Sequence, residues 1–402
     1  MAAETKGIKA EQRAAAARAQ QRSSTSTSSS RNKKRQPRRV MLHDPPAAEE
    51  PFDGAAMAGA ILAMGLLAAV LSPALSKRSF ISMPADVSSP VTLANGLSYG
   101  YHANSCPQLQ DIVWPIVESA VLGEVAIAAG LLRIFFHDCF PQGCDASVLL
   151  TGPNSERDLP PNQTLQPRAM QLIEDVRVKV HAACGATVSC ADIIALATRD
   201  AVFVAGESEM FYFYDLPLGR FDSLEPANSS AVFDLPQSTA DADTLINAFK
   251  SRNLEPIDLV ALSGAHTVGK AHCSSFNNRF SEDADFARRL AANCSSDQNR
   301  LQDLDVETPI VLDNQYFKNL MEGKGVFTSD QVLISDGRTD WAVKGLAENK
   351  WWFYSQFRDS LVKLSQYQPG GNVGEIRRNS CFAPNGQSIP ATAGDEGFAA
   401  SA

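Results

Sequence analysis

The stretch Leu131–Leu150 concentrates side chains that could do chemistry among largely apolar neighbours: one arginine, one histidine, two carboxylates and two cysteines. Arg133 and His137 stand four positions apart, so on a helix they share one face. Because their neighbours are apolar, that helix should be mostly buried, where a charge is costly without a partner. The spacing predicts either a reactive pair or, as the alternative, a core helix with a hydrogen-bonded arginine and histidine.

The same stretch continues into oxygen-bearing residues that suit a hard cation. Asp138, Gly143, Asp145 and Ser147 are predicted to lie in a loop after the helix, and oxygen ligands at this spacing favour calcium. The two cysteines of the stretch could close that loop covalently. A similar pattern of carboxylates, a threonine and backbone carbonyls recurs in Asp305–Asp313, for which a solvated turn is the alternative.

A second histidine, His266, lies towards the end of an apolar helix predicted within Asp258–Cys273, before a glycine-bearing turn. A lone histidine on such a helix is more often a hydrogen-bonded core residue than a ligand, so its position alone assigns no role. Asp330 stands among polar residues, and its local sequence predicts a surface position.

The composition limits the classes of protein to which the chain can belong. The chain has 402 residues, 44% hydrophobic and 20% charged, which fits a soluble globular protein of one large or two modest domains. Residues 1–50 hold 11 Lys and Arg against 5 Asp and Glu, whereas the remaining residues hold 25 against 40. An acidic body argues against nucleic-acid binding by the main domain, since phosphate contacts need a positive face.

The N-terminal composition predicts no fold over residues 1–54, which form a basic, Ser-rich extension; contact with nucleic acid is the alternative. The apolar run 55–71 is short for a membrane span and suits a signal peptide over residues 55–76, with a retained signal anchor as the alternative. At the other end, residues 386–402 are small and polar and predict a flexible tail.

All eight cysteines lie between Cys106 and Cys381, and none has a C-x-x-C spacing. An even count without zinc-like spacing favours four disulfides and an oxidising compartment over a zinc site. A thiol hydrolase that uses Cys139 with His137 is a further alternative, although the even count weighs against it.

The body is predicted to be mainly helical, because apolar residues recur at three- to four-residue spacing while strand-like alternation is scarce. Five such stretches stand out: Gln108–Leu122, Arg168–Ala183, Cys190–Ala205, Ala240–Arg252 and Trp341–Leu364.

Together these patterns resemble one family, the secretory plant peroxidases (class III). The run Arg133–Ser147, with the pattern R-x-x-F-H-D-C-F-x-x-G-C-D-x-S, resembles their distal-haem signature, and Leu262–Gly269 resembles their proximal-haem signature. The resemblance covers about residues 95 to 385. It implies a mainly α-helical peroxidase fold in which haem b is held between two helical halves. Shorter matches lie at Asn104–Pro107, Cys190–Leu196 and Pro217–Arg220.

The resemblance implies an enzyme that reduces hydrogen peroxide to water while it oxidises phenolic donors by one-electron steps. His137 would move the peroxide proton as general base and then general acid, with Arg133 stabilising the charge that develops on oxygen. Asn162 matches the family's residue that orients this histidine. On the proximal side His266 matches the iron ligand and Asp330 its hydrogen-bonding carboxylate.

The remaining implied positions concern the haem edge, the metals and the cysteines. Phe136 would shield the iron, and the carbonyl of Pro236 would face aromatic donors. Two calcium sites are implied: a distal one of Asp138, Pro141, Gly143, Asp145 and Ser147, reached by Glu156 through water, and a proximal one of Thr267, Asp305, Thr308, Val311 and Asp313. The implied disulfides are Cys106–Cys184, Cys139–Cys144, Cys190–Cys381 and Cys273–Cys294.

Some residues depart from the family pattern. Pro141 replaces the usual valine, although its carbonyl could still bind calcium, and Val268 replaces the usual phenylalanine beside the haem. Gln237 and Ser238 follow Pro236, which leaves the donor preference open. A non-catalytic, disulfide-stapled binding protein is the rival hypothesis, against which the intact Arg133 and both histidines weigh.

For its partners we expect hydrogen peroxide and small phenols, no nucleic acid, and a membrane only if the run 55–71 is retained. The resemblance further implies a secreted monomer of the cell wall, with the vacuole or a signal-anchored membrane location as alternatives. The sequons at Asn228 and Asn293 are expected to carry glycans, whereas a glycan on Asn162 would not fit its place in the distal pocket.

Overall fold

The computed structural model of the chain describes residue 93 and residues 95–206, 214–282 and 284–387. All of these belong to one unit, Ala85–Ala402. The predicted extension over 1–54, the signal segment 55–76 and residues 388–402 of the predicted tail lie outside the described residues. Within the described ranges no helix is both long and apolar enough to span a membrane.

The described part of the chain begins with four long helices: α1 Leu109–Gly123, α2 Ala126–Gln142, α3 Pro167–Cys184 and α4 Cys190–Ala205. The central one is α4, because α1, α2 and α3 all pack against it and nearly all of its residues are buried. Most of its residues are small or apolar, which allows burial on every face, and its buried Asp192, Arg199 and Asp200 form ion pairs. Ser189 caps α4 by accepting a hydrogen bond from the backbone N–H of Asp192 at 3.1 Å.

The later part of the chain contains eight α-helices among its described residues and a small two-stranded sheet. Strand β1 (Lys270–His272) pairs antiparallel with β2 (Leu301–Asp303), with Ala271 opposite Gln302. Among the described residues, two 3-10 helices lie between α2 and α3, Ser147–Leu149 and Glu156–Asp158, and two lie later, Gly264–Thr267 and Cys273–Ser281. The α-helices are α5 Ser229–Phe233, α6 Ala242–Lys250, α7 Pro256–Ser263, α8 Asp285–Cys294, α9 Gln315–Met321, α10 Thr328–Ser335, α11 Asp340–Glu348 and α12 Lys350–Leu364.

Two of the predicted boundaries are wrong. The stretch Trp341–Leu364 forms two helices, α11 and α12, because the Asn349 side chain accepts a hydrogen bond from the Trp352 N–H and starts a new helix. The helix that carries Arg133 and His137 continues through Gln142, so Asp138 lies on α2 and not in the loop after it.

The cysteines form four disulfides: Cys106–Cys184, Cys139–Cys144, Cys190–Cys381 and Cys273–Cys294. These are the pairs that the resemblance implies. The short Cys139–Cys144 bridge joins the last turn of α2 to the loop beyond it. The long Cys190–Cys381 bridge joins the start of the central helix α4 to the C-terminal segment.

Helix α2 also meets the turn that follows His266. Gly269 has a φ of +95°, and a methyl group built on it would lie 3.0 Å from Cβ of Ala129. A side chain here would be strained by the backbone and crowded by α2, so glycine suits this position. The close approach brings the segments that carry the two histidines of interest into contact.

Candidate active site

The ring of His137 is oriented by a buried amide. Its Nδ1 lies 2.7 Å from Oδ1 of Asn162, and Nδ2 of Asn162 donates to the carbonyl of Glu156 at 3.0 Å. Because the amide nitrogen is used by Glu156, the oxygen faces the imidazole, which must then carry its proton on Nδ1. This leaves Nε2 as the nitrogen that can accept a proton.

The imidazole of His137 is held neutral. Burial, and then the positive charge of Arg133, lower the pKa of His137 to about 3, although the hydrogen bond to Asn162 opposes this. A neutral imidazole with one free nitrogen can act as a general base at ordinary pH.

Arg133, one turn before His137, is held by neutral acceptors. Its guanidinium donates to the carbonyl of Thr164 at 2.8 Å, to the Thr164 hydroxyl at 2.9 Å and to the carbonyl of Pro161 at 3.0 Å. Across the described ranges no carboxylate forms an ion pair with it, and burial lowers its pKa. The positive charge is therefore fixed in position but not neutralised. Sequence reasoning did not find these acceptors.

The proximal histidine, His266, lies on the 3-10 turn that continues helix α7. Its Nδ1 is 2.8 Å from Oδ1 of Asp330, which is buried and also accepts from the Tyr316 hydroxyl at 2.9 Å and the Phe327 N–H at 3.0 Å. The surface position that the local sequence suggested for Asp330 is therefore wrong. Sequence reasoning also missed Tyr316, although a buried tyrosine needs a partner for its hydroxyl.

The donor set at His266 fits a haem iron. The imidazole bonds a carboxylate through Nδ1, an arrangement that fixes the tautomer and makes the other nitrogen a better electron donor to a metal. Among the residues described, the bond to Asp330 is the only hydrogen bond of this ring, and the side chain is 36% exposed. Nε2 is thus left for a metal.

The distal oxygen cluster contains one buried acid, Asp138, with too few donors. Asp138 accepts from the Ala146 N–H at 3.0 Å through Oδ2, but its buried Oδ1 has no hydrogen-bond partner within the described ranges. Burial, and next the charge of Asp145, raise the pKa of Asp138 well above its usual value. Burial likewise raises the pKa of Asp145 and of Glu156. A cation would remove this electrostatic penalty.

The proximal oxygen cluster gathers around the residue after His266. The hydroxyl of Thr267 lies 3.1 Å from Oδ2 of Asp305 and 3.4 Å from both the Val311 carbonyl and Oδ1 of Asp313. The Thr308 hydroxyl lies 3.2 Å from that same Asp313 oxygen. In the described part of the chain no three His, Cys, Asp or Glu side chains form a metal-binding group. The oxygen sets here mix carboxylates with hydroxyls and carbonyls.

The two residues predicted to lie at the haem edge are Phe136 and Pro236. Phe136 stacks on Phe140 with ring centroids 4.7 Å apart. Pro236 is half-buried and lies shortly before Ser238, whose carbonyl accepts from the Ser329 N–H at 2.9 Å. Because Ser329 directly precedes Asp330, the segment after Pro236 is attached to the helix that carries the proximal carboxylate.

A mainly helical chain with four disulfides has the fold of a haem peroxidase. The family model described as peroxidase matches residues 113–349. The chain is 45% identical over 307 residues to cationic peroxidase SPC4 of Sorghum bicolor, covering 73% of this chain and 83% of that protein. It is 42% identical over 294 residues to peroxidase 42 of Zea mays, covering 71% and 89%.

A third relative, peroxidase 12 of Arabidopsis thaliana, is 40% identical over 309 residues, which cover 74% of this chain and 85% of that protein. The chain belongs to the class III plant peroxidases. The predicted fold class and the prediction of a haem peroxidase that uses hydrogen peroxide are thereby confirmed.

Proposed function

We propose that this peroxidase oxidises phenolic donors, with His266 as the iron ligand and His137 as the acid–base residue. The observation that carries the proposal is the difference between the ring partners of the two histidines, a neutral amide for His137 and a carboxylate for His266. Bound haem b would supply the iron centre that takes up the oxidising equivalents of peroxide.

The distal residues would then manage proton and charge. With Nδ1 held by Asn162, His137 would accept the peroxide proton at Nε2 and return it to the departing oxygen. The guanidinium of Arg133 would stabilise the negative charge on that oxygen, because its own charge is not neutralised by any carboxylate among the described residues.

The donors would be small phenols that reach the haem edge near Phe136 and the carbonyl of Pro236. Phe136 belongs to a stack with Phe140 and Phe249, with centroid distances of 4.7 and 6.2 Å from Phe136, and this stack would limit access to the iron. The attachment of Ser238 to Ser329 would fix the shape of the entrance.

Two calcium ions would complete the fold. The distal ion would bind Asp138, whose orphaned oxygen supports the assignment, together with Asp145, Ser147 and the carbonyls of Pro141 and Gly143. Glu156 would reach this ion through water. The proximal ion would bind at Thr267, Asp305, Thr308, Val311 and Asp313, whose oxygens lie close together. Each ion would tether the residue next to a histidine.

The proposed setting is the secretory route. Four disulfides are typical of an oxidising compartment, and the absence of a free cysteine among the described residues agrees with it. We place the enzyme outside the cell as a monomer with glycans on Asn228, which is exposed, and on Asn293. Asn162 should stay unmodified because it is buried.

The donor class is tested with the purified, haem-loaded protein. A small phenol should give coloured product only when peroxide is present, and ascorbate in place of the phenol should react much more slowly. Preference for ascorbate, or phenol oxidation without peroxide, would contradict the proposed donor class.

A further inference from the structure

A series of aromatic rings leads away from the proximal histidine through the protein interior. The ring centroids of His266 and Tyr316 are 6.1 Å apart, those of Tyr316 and Phe317 are 5.1 Å apart, and those of Phe317 and Phe353 are 5.1 Å apart. Tyr316, Phe317 and Phe353 are all at most 2% exposed. The series thus connects the proposed iron ligand to helix α12 without crossing solvent.

A tryptophan pair on the surface lies beside the end of this series. Trp352 directly precedes Phe353 along α12, so one peptide unit joins the two residues, and its ring stacks on Trp341 of α11 with centroids 6.3 Å apart and an interplanar angle of 30°. Trp341 is 49% exposed, an unusual position for so large an apolar side chain. A methyl group on Gly345 would collide with Cζ3 of Trp352, so glycine at this position of α11 allows the indole to lie against the helix.

We propose that the Trp341–Trp352 pair is a second oxidation site, at which a phenolic polymer too large to reach the haem edge gives up electrons. This inference rests on the proposed phenolic function. Tryptophan and tyrosine are the side chains that lose one electron most readily, so Tyr316 can act as an intermediate electron carrier. Phe317 and Phe353 are not oxidised themselves and only fill the interior between Tyr316 and α12. A bulky donor can touch Trp341 without entering the interior.

The electrons and protons balance. Reduction of one hydrogen peroxide to two waters takes up two electrons and two protons. Each electron would leave the tryptophan pair along the ring series towards the haem, and a phenol group of the polymer would restore the pair by giving one electron, with its hydroxyl proton released to solvent. Two phenol groups per peroxide supply both electrons and both protons and become phenoxyl radicals.

The first test needs no phenol. Haem-loaded full-length protein is mixed with peroxide and a nitroso spin trap, and the trap adduct is located by peptide mass spectrometry. We expect the adduct on Trp341 or Trp352, and its disappearance in the double variant Trp341→Phe with Trp352→Phe. An adduct found only outside α11 and α12 would overturn the proposal, whatever the donor class is.

The second test compares a soluble phenolic polymer with its own monomer. In the double variant the ratio of polymer to monomer oxidation rates should fall by roughly tenfold. Gly345→Ala keeps both indoles but displaces Trp352, and should lower the ratio in the same direction.

Trp114→Phe is the matched control. It removes a tryptophan that packs edge to face against Phe203, 5.4 Å away on the α1–α4 side, and should leave the ratio unchanged. An unchanged ratio in the double variant would contradict the second site. If the wild type oxidises neither monomer nor polymer, the proposed donor class fails, and the trap adduct still decides on the tryptophan pair.

Discussion

The two histidines of the site are the same residue type in opposite chemical settings. His137 is held by the neutral amide of Asn162, beside the uncompensated charge of Arg133, whereas His266 is held by Asp330, which is itself bound by Tyr316 and Phe327. An amide partner leaves an imidazole able to gain and lose a proton. A carboxylate partner makes it a stronger electron donor to a metal. The partner, and not the histidine, therefore separates the two proposed roles.

The oxygen clusters beside the two histidines differ in the same way. The distal cluster leaves one oxygen of Asp138 without a partner, while the proximal carboxylates are bridged by the hydroxyls of Thr267 and Thr308. Both clusters begin at the residue directly after a histidine. Loss of order in the distal cluster should therefore change the position of His137 first, and loss of order in the proximal cluster the position of His266.

The largest expected effect is loss of haem when His266, but not His137, is replaced. His266→Ala should lose haem on purification, seen as loss of the Soret band, because the iron loses its protein ligand. His137→Ala, the matched control, should keep the band at wild-type intensity per protein. If His266→Ala retained a wild-type Soret band, the assignment of the proximal ligand would have to be abandoned.

Removing the hydrogen-bond partner of His266 should change the haem potential, whereas removing that of His137 should change the rate of the peroxide reaction. Asp330→Asn should raise the reduction potential of the haem iron, because the imidazole becomes a weaker donor to the oxidised metal. Asn162→Ala should leave that potential unchanged and slow the reaction with peroxide by about tenfold. Potentiometric titration measures the potential and stopped-flow kinetics the peroxide reaction. Equal changes of potential and rate in both variants would contradict different roles for Asp330 and Asn162.

Calcium removal should moderately lower the stability of the protein and should disturb the positions of both histidines. If each ion is present at about a hundred times its Kd, it contributes about 2.7 kcal/mol, so chelation should lower Tm by about 4 °C per ion in a domain of this size. Asp145→Asn should mainly slow the peroxide reaction, and Asp313→Asn should mainly weaken haem retention. Metal analysis of the native protein provides the control, since a protein without calcium would contradict the assignment of both clusters.

The smallest effect concerns the tyrosine behind Asp330. Tyr316→Phe removes one hydrogen bond, which should cost about 1 kcal/mol of unfolding free energy and raise the haem potential slightly. Tyr354→Phe loses a similar bond, to the carbonyl of Leu312, and should lower stability without changing the potential. Denaturant melts and redox titrations distinguish the two, and identical potentials in both variants would show that Tyr316 does not act through Asp330.

Local sequence patterns predicted the elements better than the contacts between them. Helix α4 follows the predicted bounds Cys190–Ala205 because Ser189 caps its start, Gly206 follows its end, and apolar residues recur between them at helical spacing. The break at Asn349 was missed because both flanking helices are amphipathic and no proline or glycine separates them, although asparagine is a common helix cap.

Contacts distant in sequence left no local signal. Asp330 lies among polar neighbours, yet it is buried by His266, 64 residues earlier, and by Tyr316. Arg133 is likewise held by backbone carbonyls about thirty residues later, which any side chains could have provided. The disulfide pairs were available only through the family resemblance, because spacing alone does not select among the many pairings that eight cysteines allow.

The central claim, that one histidine holds the iron while the other moves the peroxide proton, is tested most directly by stopped-flow absorbance of haem-loaded His137→Ala mixed with hydrogen peroxide. The Soret band should be intact before mixing, and the second-order rate of its change should be at least about a hundredfold below the wild-type rate. A wild-type rate in that variant would contradict the account.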